Sequence, residues 1–267
     1  MPLADPTPIH LLASLGTAAV VLGLLALLRP PVTRATPIAV LPWACVAAFS
    51  HHLALQGIYP PEVEPLFGGL LVGPTVFAIA GGLWLALRGV AVVRDREEGG
   101  AYLVACGAGT ALGLGVVTVT TLSLERGDAF VLVGVPTLAV VLSAVGYLSL
   151  GLVDPPGFAR ARFAGYLVAF AQTLDGVASA LLVDGLGREV ARPSVEVAFA
   201  LTGTVGSPDA LGVGWLLIVP RLVLSLSLVA ILTRGSVETE VYRVLLLAAL
   251  VAIGVGPGVT AILEATG

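Results

Sequence analysis

Long apolar runs separated by short polar segments follow one another along the whole chain. Each run has about 20 residues, which is the length a helix needs to cross a hydrocarbon core about 30 Å thick. The runs occupy 9–28, 38–57, 68–88, 101–123, 129–152, 162–184, 211–233 and 242–263. Pro, Gly and charged residues fill the separators and mark turns at the bilayer surface. The pattern therefore predicts an all-α bundle with about eight membrane-spanning helices.

One further apolar segment, 193–203, is too short to cross the membrane. It is predicted to be a surface or re-entrant helix, and a ninth spanning helix is the alternative. The chain has no linker long enough to separate two folding units. A single domain over 1–267 is therefore expected.

Composition agrees with a membrane protein. Of the residues, 57% are hydrophobic and only 11% are charged, whereas a soluble domain carries about 25% charged residues. Membrane lipids are therefore the expected surroundings, and the plasma membrane is the expected location. The net charge is −4 and no long basic patch is present, so nucleic acid is not an expected partner.

The distribution of arginine predicts the orientation. All thirteen basic residues are Arg, and three of them, Arg126, Arg188 and Arg192, flank the even-numbered loops. Nine others lie in or beside the odd-numbered loops: Arg29, Arg34, Arg88, Arg94, Arg96, Arg160, Arg162, Arg234 and Arg243. Because positive charge is enriched on the cytoplasmic side, both termini are predicted to lie outside the cytoplasm.

Two charged residues, Asp175 and Arg221, lie deep inside predicted spans. A charge at that depth costs about 3 kcal/mol or more unless it is paired or hydrated, so such residues indicate a functional site. At 1.5 Å per residue, Asp175 lies about 20 Å from the cytoplasmic end of its helix and Arg221 about 15 Å from the outer end of the next. These depths differ by about 5 Å, a gap that an Arg side chain closes.

Other polar residues fall near the same depth. Gln172, Asp175 and Ser179 have the i, i+3, i+7 spacing of one helical stripe. His51 and His52 are at the level of Asp175, and because neighbouring residues are turned by about 100°, only one of the two is expected to point inward. These residues predict an outward-facing polar site. The alternatives are a purely structural ion pair, and imidazoles that only bind a neighbouring carbonyl.

The chain lacks the motifs of common enzymes and cofactor sites. It has no GxSxG, HExxH or phosphate-binding loop, and Cys45 and Cys106 lie in apolar runs with no metal-ligand spacing. No cofactor and no metal are expected. Glycine spacing instead predicts close helix packing, through Gly109 and Gly113 in the fourth span, with Gly107 and Gly115 nearby, and through Gly254 and Gly258 in the eighth.

Several motifs, taken in order, resemble the archaeal integral membrane family catalogued as domain of unknown function sixty-three. They are Leu41-Pro42, Val72-Gly73-Pro74, the segment from Gln172 to Ser179, Pro193, Trp215 with Arg221, and Gly254 to Gly258. The resemblance covers most of the chain and implies a polytopic helical protein whose activity is unassigned.

The chain departs from the family pattern at several positions. The family's His-x-x-Asp with a Thr four residues later becomes Gln172, Asp175 and Ser179, and Arg221 replaces a Lys. Glu189 lies close to the family's Glu-x-His but has no His beside it. The resemblance thus adds Glu189 to the candidate residues and implies a divergent member that lacks two of the family's imidazoles.

Three functions are compatible with this sequence. The leading hypothesis is a protein that binds or translocates a small polar or lipidic molecule, or protons, at the Asp175–Arg221 site. The first alternative is an intramembrane enzyme that acts on lipid, with Asp175 or a His as the acid or base. The second is a structural or accessory membrane subunit.

Overall fold

A computed structural model describes residues 6–93, 99–122, 128–188, 196–197, 200, 212–234 and 240–266. In these ranges the regular structure is helical throughout, and eight helices are long and apolar enough to cross a membrane. They are α1 (Pro8–Leu28), α2 (Thr36–Leu55), α3 (Val72–Val93), α4 (Gly99–Thr121), α5 (Asp128–Val153), α6 (Pro155–Gly185), α7 (Trp215–Thr233) and α8 (Glu240–Ala265). The prediction of an all-α bundle with eight spans is confirmed.

The chain divides into two compact units. The first, Met1–Thr121, contains α1 to α4, and its most extensive helix contact joins α2 to α4. The second, Leu122–Gly267, contains α5 to α8, with α6 packed against each of the other three. The single domain expected over 1–267 stays a prediction.

Helix α6 forms the centre of the second unit. In its most apolar stretch 72% of the residues are buried, compared with 28% in α5 and 44% in α8. Its buried face is rich in Ala and Gly, and small side chains let helices approach closely. A charged residue on α6 is therefore surrounded by protein.

Helix α6 begins earlier than the apolar run that predicts it. The run begins at residue 162, but the helix begins at Pro155, where the carboxylate of Asp154 accepts a hydrogen bond from the backbone N–H of Gly157 at 3.2 Å. Non-helical backbone at Arg162, with φ 49° and ψ −142°, then interrupts it. The hydroxyl of Tyr147 donates to the carbonyl of Arg162 beside this interruption. The predicted apolar run thus begins at this interruption and not at the start of the helix.

The glycine predictions have two outcomes. A Cβ built on Gly254 would lie 2.6 Å from the carbonyl carbon of Ala171 in α6, and one on Gly258 would lie 3.0 Å from the backbone nitrogen of Asp175. Close packing through these two glycines is therefore confirmed. The same prediction is wrong for Gly109 and Gly113, whose added Cβ atoms would meet nothing within 4 Å.

The glycines of α4 that make contacts are on another face of the helix. A Cβ on Gly107 would lie 2.6 Å from Nε1 of Trp43, and one on Gly115 would lie 3.5 Å from the ring of Phe49. The reason is the aromatic side chains of α2, which occupy the groove that α4 presents. The surface or re-entrant helix predicted at 193–203 lies outside the described residues except at 196–197 and 200.

Candidate functional site

The side chains of Asp175 and Arg221 meet in an ion pair between α6 and α7. Nη1 of Arg221 contacts Oδ2 of Asp175, and the two side chains are 17% and 9% exposed. Both charges are therefore largely shielded from solvent, and in such surroundings an ion pair offsets the cost of burying each charge. The depth argument from sequence anticipates this contact.

The polar stripe of α6 divides between two neighbours. The Ser179 hydroxyl donates to Oδ1 of Asp175 at 3.4 Å, which adds a hydroxyl to the ion pair. The Gln172 side chain points instead to α8, where its Nε2 donates to the carbonyl of Leu250 at 3.0 Å. Ser179 therefore belongs to the site around the carboxylate, while Gln172 joins α6 to α8.

Glycines bring backbone close to Asp175 on two sides. On the α7 side, a Cβ on Gly176 would lie 2.9 Å from the carbonyl oxygen of Leu217. On the α8 side, Gly258 packs against the backbone nitrogen of Asp175. Two helices thus approach α6 at the level of the carboxylate, and any larger residue at Gly176 or Gly258 would push them away.

The C-terminal end of α6 is joined to the start of α7 by Asp184. Its Oδ1 accepts a hydrogen bond from the backbone N–H of Val213 at 3.0 Å, and its Oδ2 accepts one from Gly214 at 2.6 Å. Val213 and Gly214 lie in the turn immediately before α7, and a carboxylate at this end complements the helix dipole.

The opposite end of α7 contacts the segment that begins α6. Nε of Arg234 donates to Oδ2 of Asp154 at 2.9 Å, and Arg160 donates to the carbonyl of Thr233 at 2.7 Å. The hydrogen bond from Arg234, followed by that from Gly157, holds the pKa of the Asp154 carboxyl below its ordinary value. Helix α7 is therefore fastened to α6 near both ends.

The two predicted histidines lie in the first unit. Nδ1 of His51 donates to the carbonyl of Phe67 at 3.3 Å, and this ring is half-buried. His52 is buried, and its Nε2 has no hydrogen-bond partner among the described residues. One imidazole is thus more enclosed than the other. Because Asp175 and Arg221 belong to the second unit, a site shared with the histidines stays a prediction.

The described part of the chain contains neither a cluster of metal-ligating side chains nor a disulfide. Among those residues no group of three or more His, Cys, Asp or Glu side chains could hold a metal ion. Cys45 and Cys106 are free thiols. Glu189 lies outside the described residues, so its assignment to the site stays a prediction.

Sequence reasoning missed Asp184. It lies at the polar end of a predicted span, where a carboxylate is unremarkable, and its partners are 29 and 30 residues further along the chain. The available signal was the pair Gly212 and Gly214 at the start of the next apolar run, since an added Cβ at either would lie within 2.6 Å of the Asp184 carboxylate.

The eight apolar helices are those of a multi-pass helical membrane protein. Comparisons with protein-family models, with curated proteins and with solved structures found no match to this chain.

Proposed function

We propose that this protein binds or translocates a small polar or lipidic molecule, or protons, at an intramembrane site formed by Asp175, Arg221 and Ser179. The observation that carries the proposal is the shielded ion pair between α6 and α7. The other described charged residues of these two helices lie nearer to the ends of α6 than Asp175 does, and they are Arg160, Arg162 and Asp184. Charged residues inside membrane-spanning helices typically bind a ligand or an ion, or form part of a proton pathway.

The charge of the site limits the ligand. Asp175 and Arg221 together are neutral, and the nearby hydroxyl of Ser179 is uncharged. A ligand with a net charge would leave one charge uncompensated in a low-dielectric interior. A neutral or zwitterionic molecule would keep every charge paired, with its anionic group on Arg221 and its cationic or hydrogen-donating group on Asp175.

A thermal-shift experiment tests this binding. The detergent-purified protein is heated with glycine as the zwitterion, acetate as the anion, ethylammonium as the cation, or lipid added to the micelles. A ligand present at 100 times its Kd stabilises a protein by about 2.7 kcal/mol. We expect glycine or the lipid to raise the Tm of the native protein.

The control is the double variant Asp175→Asn with Arg221→Gln. It removes both charges together and so leaves neither one stranded in the interior. Equal shifts in the native and double-variant proteins, or no shift with any probe, would contradict the proposed site.

A structural role for the pair is the second candidate. The close approach of backbone at Gly176 and Gly258 favours it, because α7 and α8 are tightly packed where the carboxylate lies. In that case the pair fixes the register of α6 and α7, and the double variant differs from the native protein in stability alone.

The proposal includes an orientation and a family. The protein is located in the plasma membrane, with both termini outside the cytoplasm. The chain is a divergent member of the archaeal family catalogued as domain of unknown function sixty-three. The arginine distribution supports the first statement and the order of the motifs supports the second.

Cysteine labelling tests the orientation. In a Cys45→Ala, Cys106→Ala background, single cysteines at 62 and 97 are treated in intact cells with a reagent that does not cross membranes. Labelling at 62 with protection at 97 is expected, and the reverse pattern would invert the topology.

A further inference from the structure

Helices α6 and α7 touch through a regular series of contacts. On α6 the residues are Gly176, Ala180 and Asp184, whose i, i+4, i+8 spacing places them on one stripe. An added Cβ on Gly214 would lie 2.7 Å from Cβ of Ala180 and 2.6 Å from Oδ2 of Asp184. One turn deeper, Gly176 meets the carbonyl of Leu217. The stripe ends beside Asp175, at the ion pair.

A widened turn keeps Asp184 on this stripe. Residues Leu181–Gly185 form a π-helical turn, in which the N–H of Leu186 donates to the carbonyl of Leu181 at 3.0 Å. In a regular α-helix, residues spaced by four drift by about 40° around the axis. Because a π turn holds more residues than an α turn, it rotates less per residue and reduces that drift. The Asp184 carboxylate therefore faces the start of α7.

The distance along α6 from Asp184 to Asp175 matches the distance along α7 from Gly214 to Arg221. Asp175 is nine residues from Asp184, a rise of about 13.5 Å, and Arg221 is seven residues from Gly214, about 10.5 Å. The two distances agree to within about 3 Å, which one long side chain spans. A shift of α7 by a single helical turn, about 5.4 Å, would remove Arg221 from the carboxylate.

We propose that Asp184 is a positioning residue for the intramembrane site. By holding the N–H groups of Val213 and Gly214, it sets the register of α7 at which Arg221 meets Asp175. This inference rests on the proposed function, because it assigns Asp184 a role in the same site. Asp184 contacts neither charged group of the ion pair, so it acts through the position of α7.

The test measures the coupling of the ion pair with and without Asp184. Tm values are determined for the native protein, Asp175→Asn, Arg221→Gln and the double variant, and then for the same four proteins carrying Asp184→Ala. The non-additive part of the Tm change reports whether the two charges meet. We expect Asp184→Ala to reduce this part by at least half.

Arg188→Gln provides the matched control. Arg188 follows the same end of α6 but donates to the carbonyl of Glu264 in α8 rather than to α7. Its loss should lower Tm without changing the coupling of Asp175 and Arg221. A residue that merely stabilises the fold would behave in the same way as Arg188.

The conservative variant Asp184→Asn covers the case in which Asp184→Ala does not fold. Its single amide oxygen can accept one of the two backbone hydrogen bonds, so coupling between the native and alanine values is expected. Unchanged coupling in Asp184→Ala or Asp184→Asn overturns the positioning role. Absence of coupling in the native background overturns instead the ion-pair site on which the role depends.

Discussion

In the described part of the first unit the glycines meet only side chains, whereas several glycines of the second unit also approach the backbone of a facing helix. In the first unit Gly107 lies against the side chain of Trp43, whereas in the second Gly254 and Gly176 lie against the backbone of a facing helix. Backbone contact brings the peptide groups of two helices together and leaves little space for water or lipid. The shielded ion pair lies beside these backbone contacts, in the second unit.

The buried polar groups of the two units differ in the same way. Asp175 has Arg221 and Ser179 beside it, while Nε2 of His52 and the hydroxyl of Thr118 have no hydrogen-bond partner among the described residues. Close backbone packing thus coincides with organised polar contacts.

Among the substitutions that compare the two units, the largest expected effect comes from Gly254→Ala. The added Cβ would lie 2.6 Å from the backbone of Ala171, and overpacking of this kind typically costs about 1 to 3 kcal/mol. The better helix propensity of Ala returns about 1 kcal/mol. We expect a net loss of up to about 2 kcal/mol, measured by thermal unfolding in detergent.

Gly113→Ala is the control for this substitution. An added Cβ there meets nothing within 4 Å, so the variant should be as stable as the native protein or gain up to about 1 kcal/mol. If Gly254→Ala were equally well tolerated, the helices of the second unit would not depend on backbone contact.

Arg162→Gly should stabilise the second unit. Arg162 has φ 49° and ψ −142°, a conformation that costs a residue with a side chain about 1 to 3 kcal/mol. Glycine adopts this conformation without strain. It also raises the conformational entropy of the unfolded chain, which lowers the free energy of unfolding by about 0.4 to 1 kcal/mol. We expect the free energy of unfolding to rise by about 1 kcal/mol, as measured from the shift of the unfolding midpoint.

The first unit supplies a comparison for this variant. Arg29 also has positive φ, but its φ of 42° and ψ of 61° lie in the left-handed region commonly used after a helix. Arg29→Gly should therefore give the smaller gain. A larger gain at position 29 would mean that the interruption in α6 is unstrained.

Gly107→Ala should cost less than Gly254→Ala. Its Cβ would meet the Trp43 side chain, which can turn away at the expense of the hydrogen bond from Nε1 to the carbonyl of Leu103. That bond is worth about 1 kcal/mol, and the helix propensity of Ala compensates in part. A loss under about 1 kcal/mol is expected, and a loss equal to that of Gly254→Ala would remove the difference between the units.

The smallest effect depends on pH. The folded pKa of Asp154 lies below its unfolded value of about 3.9, so its interaction with Arg234 stabilises the protein above that pH. This stabilisation is lost as the pH falls through the folded pKa. Tm should therefore decrease more between pH 6 and pH 3 in the native protein than in Asp154→Asn. Parallel curves would show that the contact contributes nothing.

Much of the fold follows from apolar run length alone. Each described span overlaps a predicted run, because crossing the bilayer imposes a minimum length and internally satisfied hydrogen bonds. The beginning of α6 is the exception. Its first turns contain Pro, Gly and Arg, so hydropathy excludes them, although Asp154 caps them as a helix.

The site was predictable only in part. Depth arithmetic anticipates the contact between Asp175 and Arg221 because each residue is counted along a single apolar run whose length the bilayer limits. Helical phase groups Gln172 with Asp175 but gives no information about which neighbour each side chain reaches, and Gln172 binds α8. Asp184 and its partners lie far apart in sequence, and local periodicity cannot reveal such contacts.

The central claim is that Asp175 and Arg221 are energetically coupled, and a double-mutant cycle tests it most directly. Unfolding free energies are measured in detergent for the native protein, Asp175→Asn, Arg221→Gln and the double variant. Each single variant strands one charge and should lose about 3 to 5 kcal/mol, while the double variant should lose less than the sum, with a coupling of about 0.5 to 3 kcal/mol. Strictly additive losses would contradict the account, because they would mean that the two charges do not meet.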